Sequence, residues 1–397
     1  MPKRRLTQLR TLVLLALALY VFLEFSYRVY AYAKLGPQFR DHGFWSFDAP
    51  LYVLDTQVGY KYNAKSYLTC RRFDQNHKVL RQNALAVNNF GHISPRDDYL
   101  EKADSEFRIA ILGDSFTACR ANSMPWPILL EDRLNRDDAL KQLLGKSTVK
   151  VINFGMDGTG FIQWSSVFAQ EAGRFRPDVI IVNFISDDIS RKFIYIDSIR
   201  VPSTNIDFRV TLLCTSLPVT FANRDCLVIS NISVAPELVE DRLAMSRVKR
   251  EIYDATIRAM PWFSPYPELL AATGKFGFKS RLDPTSRRSW HFSSPKEAVS
   301  GSSASLRTIT SNHPRVMILH HPILEEILAL ETPQIVQDLM SSNRELKIEP
   351  MLKFLPVQSS EDEVKSWFIP NDGHPSDYGC EVYAKGVHDR VRAYLTR

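Results

Sequence analysis

Three residues far apart in the sequence have the side chains that nucleophilic catalysis needs. They are Ser115, in Gly113-Asp114-Ser115, and the pair Asp372 and His374, in Asn371-Asp372-Gly373-His374-Pro375-Ser376. A serine hydroxyl is a poor nucleophile at neutral pH. A histidine within hydrogen-bond reach can take its proton, and a carboxylate beyond the histidine fixes the imidazole tautomer. The chemistry open to such a set is acyl transfer through a covalent serine intermediate. Cys119, four residues past Ser115, reads instead as a buried packing thiol. Asp187 and Asp188 could hold a cation, but no further ligand accompanies them, and the sequence calls for no metal and no cofactor.

The elements that must position these residues can be read in order. The run Arg108-Ile109-Ala110-Ile111-Leu112 predicts a buried strand that Gly113-Asp114-Ser115 ends abruptly. Pro125 and Pro127 open a helix with Trp126, Leu129, Leu130 and Leu134 at helical spacing. Further strands are expected at 149–155, 178–185, 315–322 and 348–356. Helices follow around Trp164, Val167, Phe168 and Phe175, over 323–340, and through Tyr383, Val387, Val391 and Tyr394. The near-continuous apolar runs suit parallel strands covered on both faces. The expected fold is α/β, a doubly wound (flavodoxin-like) parallel sheet with helices on both faces and a large α+β insertion. Ser115 then lies at the carboxyl edge of the sheet, where the Asp372/His374 loop can converge on it. Gly155, Gly158 and Gly160 run G-x-x-G-x-G, and no P-loop lysine follows, so they do not read as a nucleotide loop.

At Gly113-Asp114-Ser115 and Asp372-x-His374 the chain resembles the SGNH/GDSL hydrolase superfamily, a likeness covering about 107–190 and 314–397. The resemblance implies Ser115 as nucleophile, His374 as base and Asp372 as its orienter. It implies an oxyanion hole made by the N–H groups of Ser115 and Gly155 and by a third donor. That third donor is usually an asparagine amide, and this chain has Asp187 there. Either Asp187 is protonated, or Asn183 substitutes, or the site is weaker or differently employed. Many relatives place the acid three residues before the histidine, a position held here by Asn371. The implied activity is hydrolysis of an ester, removing an acyl group such as acetyl from a cell-envelope carbohydrate or a similar exported substrate. An O-acyltransferase working on a polysaccharide with the same Ser/His site is the first alternative. A catalytically decayed binding or assembly protein of the envelope is the second, and Asp187 is the residue in its favour.

Composition narrows the setting. The net charge of +6 is mostly local, since Lys3, Arg4, Arg5 and Arg10 precede any acid and leave +2 for the remainder. No nucleic-acid partner is expected. Residues 1–10 read as a cytoplasmic basic leader and 11–32 as a transmembrane signal anchor, with Arg28 able to snorkel. The catalytic domain would then be periplasmic or extracellular. A cleaved signal peptide is the competitor, because Ala31-Tyr32-Ala33 has the small-x-small form. Residues 33–105 are expected to form short strands and turns packing on the core, whose halves are 106–190 and 313–397. Between them, 191–312 reads as an insertion or cap. It comprises a hairpin at 211–230 spanning Cys214 and Cys226 (the best disulfide pair by proximity), a helix at 236–260, aromatic clusters at 261–266 and 290–292, and a mobile serine-rich stretch at 293–311.

Overall fold

The computed structural model describes residues 3–40, 43–201, 206–221, 223, 225–239, 241–258, 290–356, 360–370 and 372–396. The aromatic cluster at 261–266 and Asn371 lie outside the described residues. The chain divides into two compact units. The larger comprises Phe47–Arg71, Arg81–Ser198 and Trp290–Arg397.

Five parallel strands form the centre of the larger unit: β1 (Glu106–Gly113), β2 (Thr148–Gly155), β3 (Val179–Phe184), β4 (Val316–His320) and β5 (Ile348–Pro350). Their order across the sheet is β5-β4-β3-β1-β2, the doubly wound arrangement expected from the sequence. Gly113 stands opposite both Gly155 and Asn183, so β1, β2 and β3 end level with one another. Successive residues of β1 face opposite layers. Ile109 and Ile111 join a core with Trp126, Leu130 and Leu134 of the helix Trp126–Arg136 and with Tyr383, Val387 and Val391 of the helix Asp377–Leu395. On the other layer Phe161, of the helix Phe161–Gln170, lies 5.0 Å from the Phe184 ring of β3. Each fully buried large apolar side chain contributes roughly 1.5–3 kcal/mol, so the last helix is a stabilising element of the sheet as well as a cover for it.

Three expectations need correction. The helix expected over 323–340 is two helices, Leu324–Ala329 and Gln334–Ser342, because Leu330 turns left-handed and Pro333 starts the second. The last strand stops at Pro350, where a 3₁₀ turn, Met351–Phe354, takes over. The serine-rich stretch is the ordered helix Pro295–Asn312 of the larger unit, and no mobile part of an insertion. Ser294 caps it by accepting from the Glu297 N–H at 3.3 Å. Its buried serines are bonded: Ser302 Oγ donates to Ile189 O at 2.9 Å, and Ser303 Oγ accepts from Asn343 Nδ2 at 2.7 Å. Small hydroxyls allow close helix packing once their hydrogen bonds are met.

The smaller unit comprises Met1–Ser46, Arg72–Leu80 and Ile199–Ser289. Its first element is the helix Lys3–Arg40, whose segment Thr7–Tyr30 has mean hydropathy 1.9 and is long and apolar enough to cross a membrane. Arg28 does not extend freely along it. The guanidinium pairs with Glu24 at 2.8 Å and donates to Ile257 O at 2.7 Å. The expected hairpin is present as Phe208–Cys214 and Cys226–Val234, antiparallel, with Cys214 opposite Cys226 and a disulfide joining them. The helix Arg242–Arg258 follows.

Candidate active site

β1 ends at Gly113 because the chain turns sharply there. A Cβ at Gly113 would lie 2.1 Å from Thr117 Oγ1 and 2.8 Å from Asn183 O, so only glycine fits. Asp114 then caps the short helix Ser115–Ala118, its Oδ1 accepting from the Phe116 N–H at 2.8 Å. Hydrogen bonds within this turn use the N–H groups of Phe116, Thr117, Ala118 and Cys119, and none of them uses that of Ser115.

His374 arrives on the loop before the last helix. The Ile369 N–H donates to His374 O at 2.8 Å, Asp372 N–H donates to Ile369 O at 3.1 Å, and Gly373 takes φ +83° to close the turn. This geometry brings the three residues together across 259 positions: His374 Nε2 lies 2.9 Å from Ser115 Oγ, and His374 Nδ1 lies 2.5 Å from Asp372 Oδ1. The Asp372 side chain is 6% exposed and that of His374 is 29% exposed. The carboxylate is thus shielded while the imidazole is partly open to solvent. Ser115 Oγ also lies 3.3 Å from Asp114 Oδ2.

The expected oxyanion donors are placed differently. Gly155 N–H donates to Asn153 Oδ1 at 2.9 Å, and its missing side chain lets β2 meet the nucleophile turn, since a Cβ would lie 2.3 Å from Ala118 N. In the turn that follows, the N–H groups of Met156, Asp157 and Thr159 are bonded to Gly113 O, Tyr62 Oη and Met156 O. Gly158, at the partly exposed tip with φ +71°, has its N–H outside these bonds. Asn183 does not substitute for the missing amide. It is fully buried behind the nucleophile, where its Nδ2 donates to Thr117 Oγ1 at 2.8 Å.

At Asp187 the surroundings favour the charged form of the carboxyl. Burial opposes its ionisation, but the hydrogen bond from His291 and the charge of Arg191 hold its carboxyl well below the usual carboxylate range. Arg191 Nη2 lies 2.9 Å from Asp187 Oδ2, and His291 Nε2 lies 3.4 Å from the same oxygen. Asp188 is fully buried, and burial, reinforced by the neighbouring Asp114, pushes its carboxyl up. The Asp187–Asp188 pair is therefore met by a guanidinium.

Two buried side chains near the site take no part in the relay. His321 is held between the rings of Trp126 and Tyr383, at 5.5 and 4.2 Å between centroids, and its nitrogens have no hydrogen-bond partner among the described residues. Burial pushes it down to about 3, so it is a neutral packing group. Cys119 packs 3.4 Å from Cys380 Sγ, and burial pushes its thiol up, which removes it as a nucleophile.

What the sequence did not reveal is the support under the Gly158 turn. Tyr52 Oη donates to Asp157 Oδ2 at 2.7 Å and Tyr60 Oη to Asp157 O at 2.9 Å, while Arg120 pairs with Asp157 Oδ2 at 2.6 Å. The alternation Tyr60-Lys61-Tyr62 in the strand Gly59–Tyr62, opposite Tyr52 in register, was the available signal.

No family model matches the chain, and no curated protein matches it. Among solved structures it is similar to the lipase/acylhydrolase from Enterococcus faecalis, with TM-score 0.34 and 13% identity over 72% of this chain and 96% of that one. It is similar also to TesA, with TM-score 0.34 and 9% identity over 72% and 99% of the two chains. A third is a carbohydrate esterase family 2 enzyme from Corynascus thermopiles, with TM-score 0.32 and 12% identity over 89% and 87%. Scores of this size do not decide a chemistry. The strand order, the serine after β1 and the Asp/His loop before the last helix agree with the resemblance to the SGNH/GDSL superfamily read from the sequence.

Proposed function

We propose that this chain is a membrane-anchored serine esterase that cleaves an acyl group, such as acetyl, from a carbohydrate or similar exported ester. The observation that carries the reading is the relay Asp372–His374–Ser115, with separations of 2.5 and 2.9 Å. His374 Nε2 takes the Ser115 proton as Oγ attacks the carbonyl carbon, and Asp372 stabilises the imidazolium through Nδ1. The carbonyl electron pair moves onto oxygen, which the N–H groups of Ser115 and Gly158 receive. His374 returns the proton to the leaving alcohol, and water then repeats the sequence to free the acid. An intact relay argues against a decayed site. The exported setting is supported by the apolar helix and by the Cys214–Cys226 disulfide.

The test uses the full chain in detergent with an aryl acetate and a fluorophosphonate probe. Acetate release and a covalent adduct on Ser115 are expected, and both should vanish in Ser115→Ala. Turnover unaffected by Ser115→Ala would refute the reading. Acylated sugar formed on adding a carbohydrate acceptor would transfer the assignment to the acyltransferase.

A further inference from the structure

A buried cation stands beside the nucleophile. The Arg191 side chain is 8% exposed, and its Nη1 lies 3.2 Å from Asp114 Oδ2 and 2.5 Å from Asp188 Oδ1 and donates to Thr159 O at 3.1 Å. Its other edge, Nε and Nη2, donates to Asp187 Oδ2 at 3.2 and 2.9 Å. The Trp290 ring covers the guanidinium at 5.7 Å. Asp114 Oδ2 also lies 3.3 Å from Ser115 Oγ, so one carboxylate separates the guanidinium from the nucleophile.

The contacts divide into two kinds. Asp114 and Asp188 are fully buried, and a buried carboxylate needs a partner for the fold to tolerate it. Asp187 is different: its side chain is 54% exposed, so water reaches it and an ion pair there adds little to stability. Two guanidinium N–H groups are nevertheless committed to it. By the resemblance to the superfamily, Asp187 stands where an amide would donate to the developing oxyanion. An uncompensated carboxylate at that place would oppose the charge that forms as Ser115 Oγ bonds to the carbonyl carbon and the C=O electron pair moves to oxygen.

We propose that Arg191 is a positioning residue of the reaction: it holds the Asp187 carboxylate onto its Nε/Nη2 edge and cancels its charge at the oxyanion, in place of the asparagine amide this chain lacks. This rests on the serine-esterase reading and names a residue that reading does not require. Asp187 is faced by Arg191 and Asp188 of its own turn and by His291 of the returning segment, which forms a bridge with Arg191. Arg191 is the permanent cation among these groups.

The test is a double-mutant cycle on the full chain, reading kcat and KM separately on an aryl acetate. Arg191→Gln should lower kcat about 100-fold with KM nearly unchanged, the size of losing one oxyanion-hole donor. In an Asp187→Asn background the same change should lower kcat by less than about 10-fold, because no charge is left to cancel. Arg191→Lys, which keeps the charge, should recover most of the kcat. Equal losses in both backgrounds, with no recovery by lysine, would overturn the proposal and leave Arg191 a packing residue. If Arg191→Gln does not fold, the cycle is run with Arg191→Lys and Asp187→Asn. There, a loss from Arg191→Lys that persists undiminished in the Asp187→Asn background overturns the proposal equally. Failure of the esterase reading is distinguished by Ser115→Ala retaining wild-type turnover, whatever the cycle shows.

Discussion

Gly155→Ala should disable the site without touching any residue of the relay. A Cβ at this position would lie 2.3 Å from Ala118 N, 2.7 Å from Thr117 C and 2.8 Å from Ala118 Cα, where ordinary contact begins at 3.4 Å. All three obstacles are backbone of the turn that carries Ser115, so no rotamer change relieves them. The turn and the end of β2 must part by about 1 Å, the scale at which a misplaced catalytic group loses about 100-fold in rate. The Ser115–His374 separation of 2.9 Å would open beyond hydrogen-bond reach. Expected outcomes are a kcat on aryl acetate lower by about 100-fold, KM changed little, and fluorophosphonate labelling of Ser115 slowed in parallel. Circular dichroism should stay near that of the wild type. An alanine variant that labels Ser115 at the wild-type rate would refute the claim that Gly155 serves close approach of β2 to the nucleophile turn.

Other perturbations have equally definite outcomes. Asp372→Asn should lower kcat/KM by about 10⁴-fold, because an amide N–H against Nδ1 enforces the wrong tautomer, and ester turnover against pH measures it. His321 is depressed in the folded chain to about 3 against an unfolded value near 6.5, so its contribution is complete above pH 6.5 and is lost as pH falls towards 3. That loss amounts to about 3 kcal/mol at pH 4. His321→Phe should flatten the dependence of unfolding midpoint on pH across this range. Tyr52→Phe removes the 2.7 Å bond to buried Asp157 and should reduce stability by about 1–3 kcal/mol in urea unfolding, with a smaller effect on kcat.

The fold was legible where one-dimensional patterns decide structure. The runs 109–112 and 179–182 are apolar because they are central parallel strands, and strand–Gly-Asp-Ser–helix places a hydroxyl at the sheet edge whatever its neighbours do. The Asp372/His374 loop was legible for the same local reason. Misreadings arose where a distant partner changes what a residue means. Serines at 302 and 303 read as a polar loop until Ile189 O and Asn343 meet them. Gly155 was read as a free donor because the Asn153 side chain two residues earlier was not recognised as its acceptor. Arg191 left a signal that was passed over: a cation three and four residues after two aspartates fits one helical turn.

The separation of 259 residues between nucleophile and base has a consequence for biosynthesis. A ribosome delivers Ser115 long before His374, and the layer over Trp126 is completed only by the final helix. Through most of its synthesis the nascent chain is therefore chemically silent. The Ser115–His374 contact forms only after the C-terminal segment docks, long after the N-terminal apolar helix has been made.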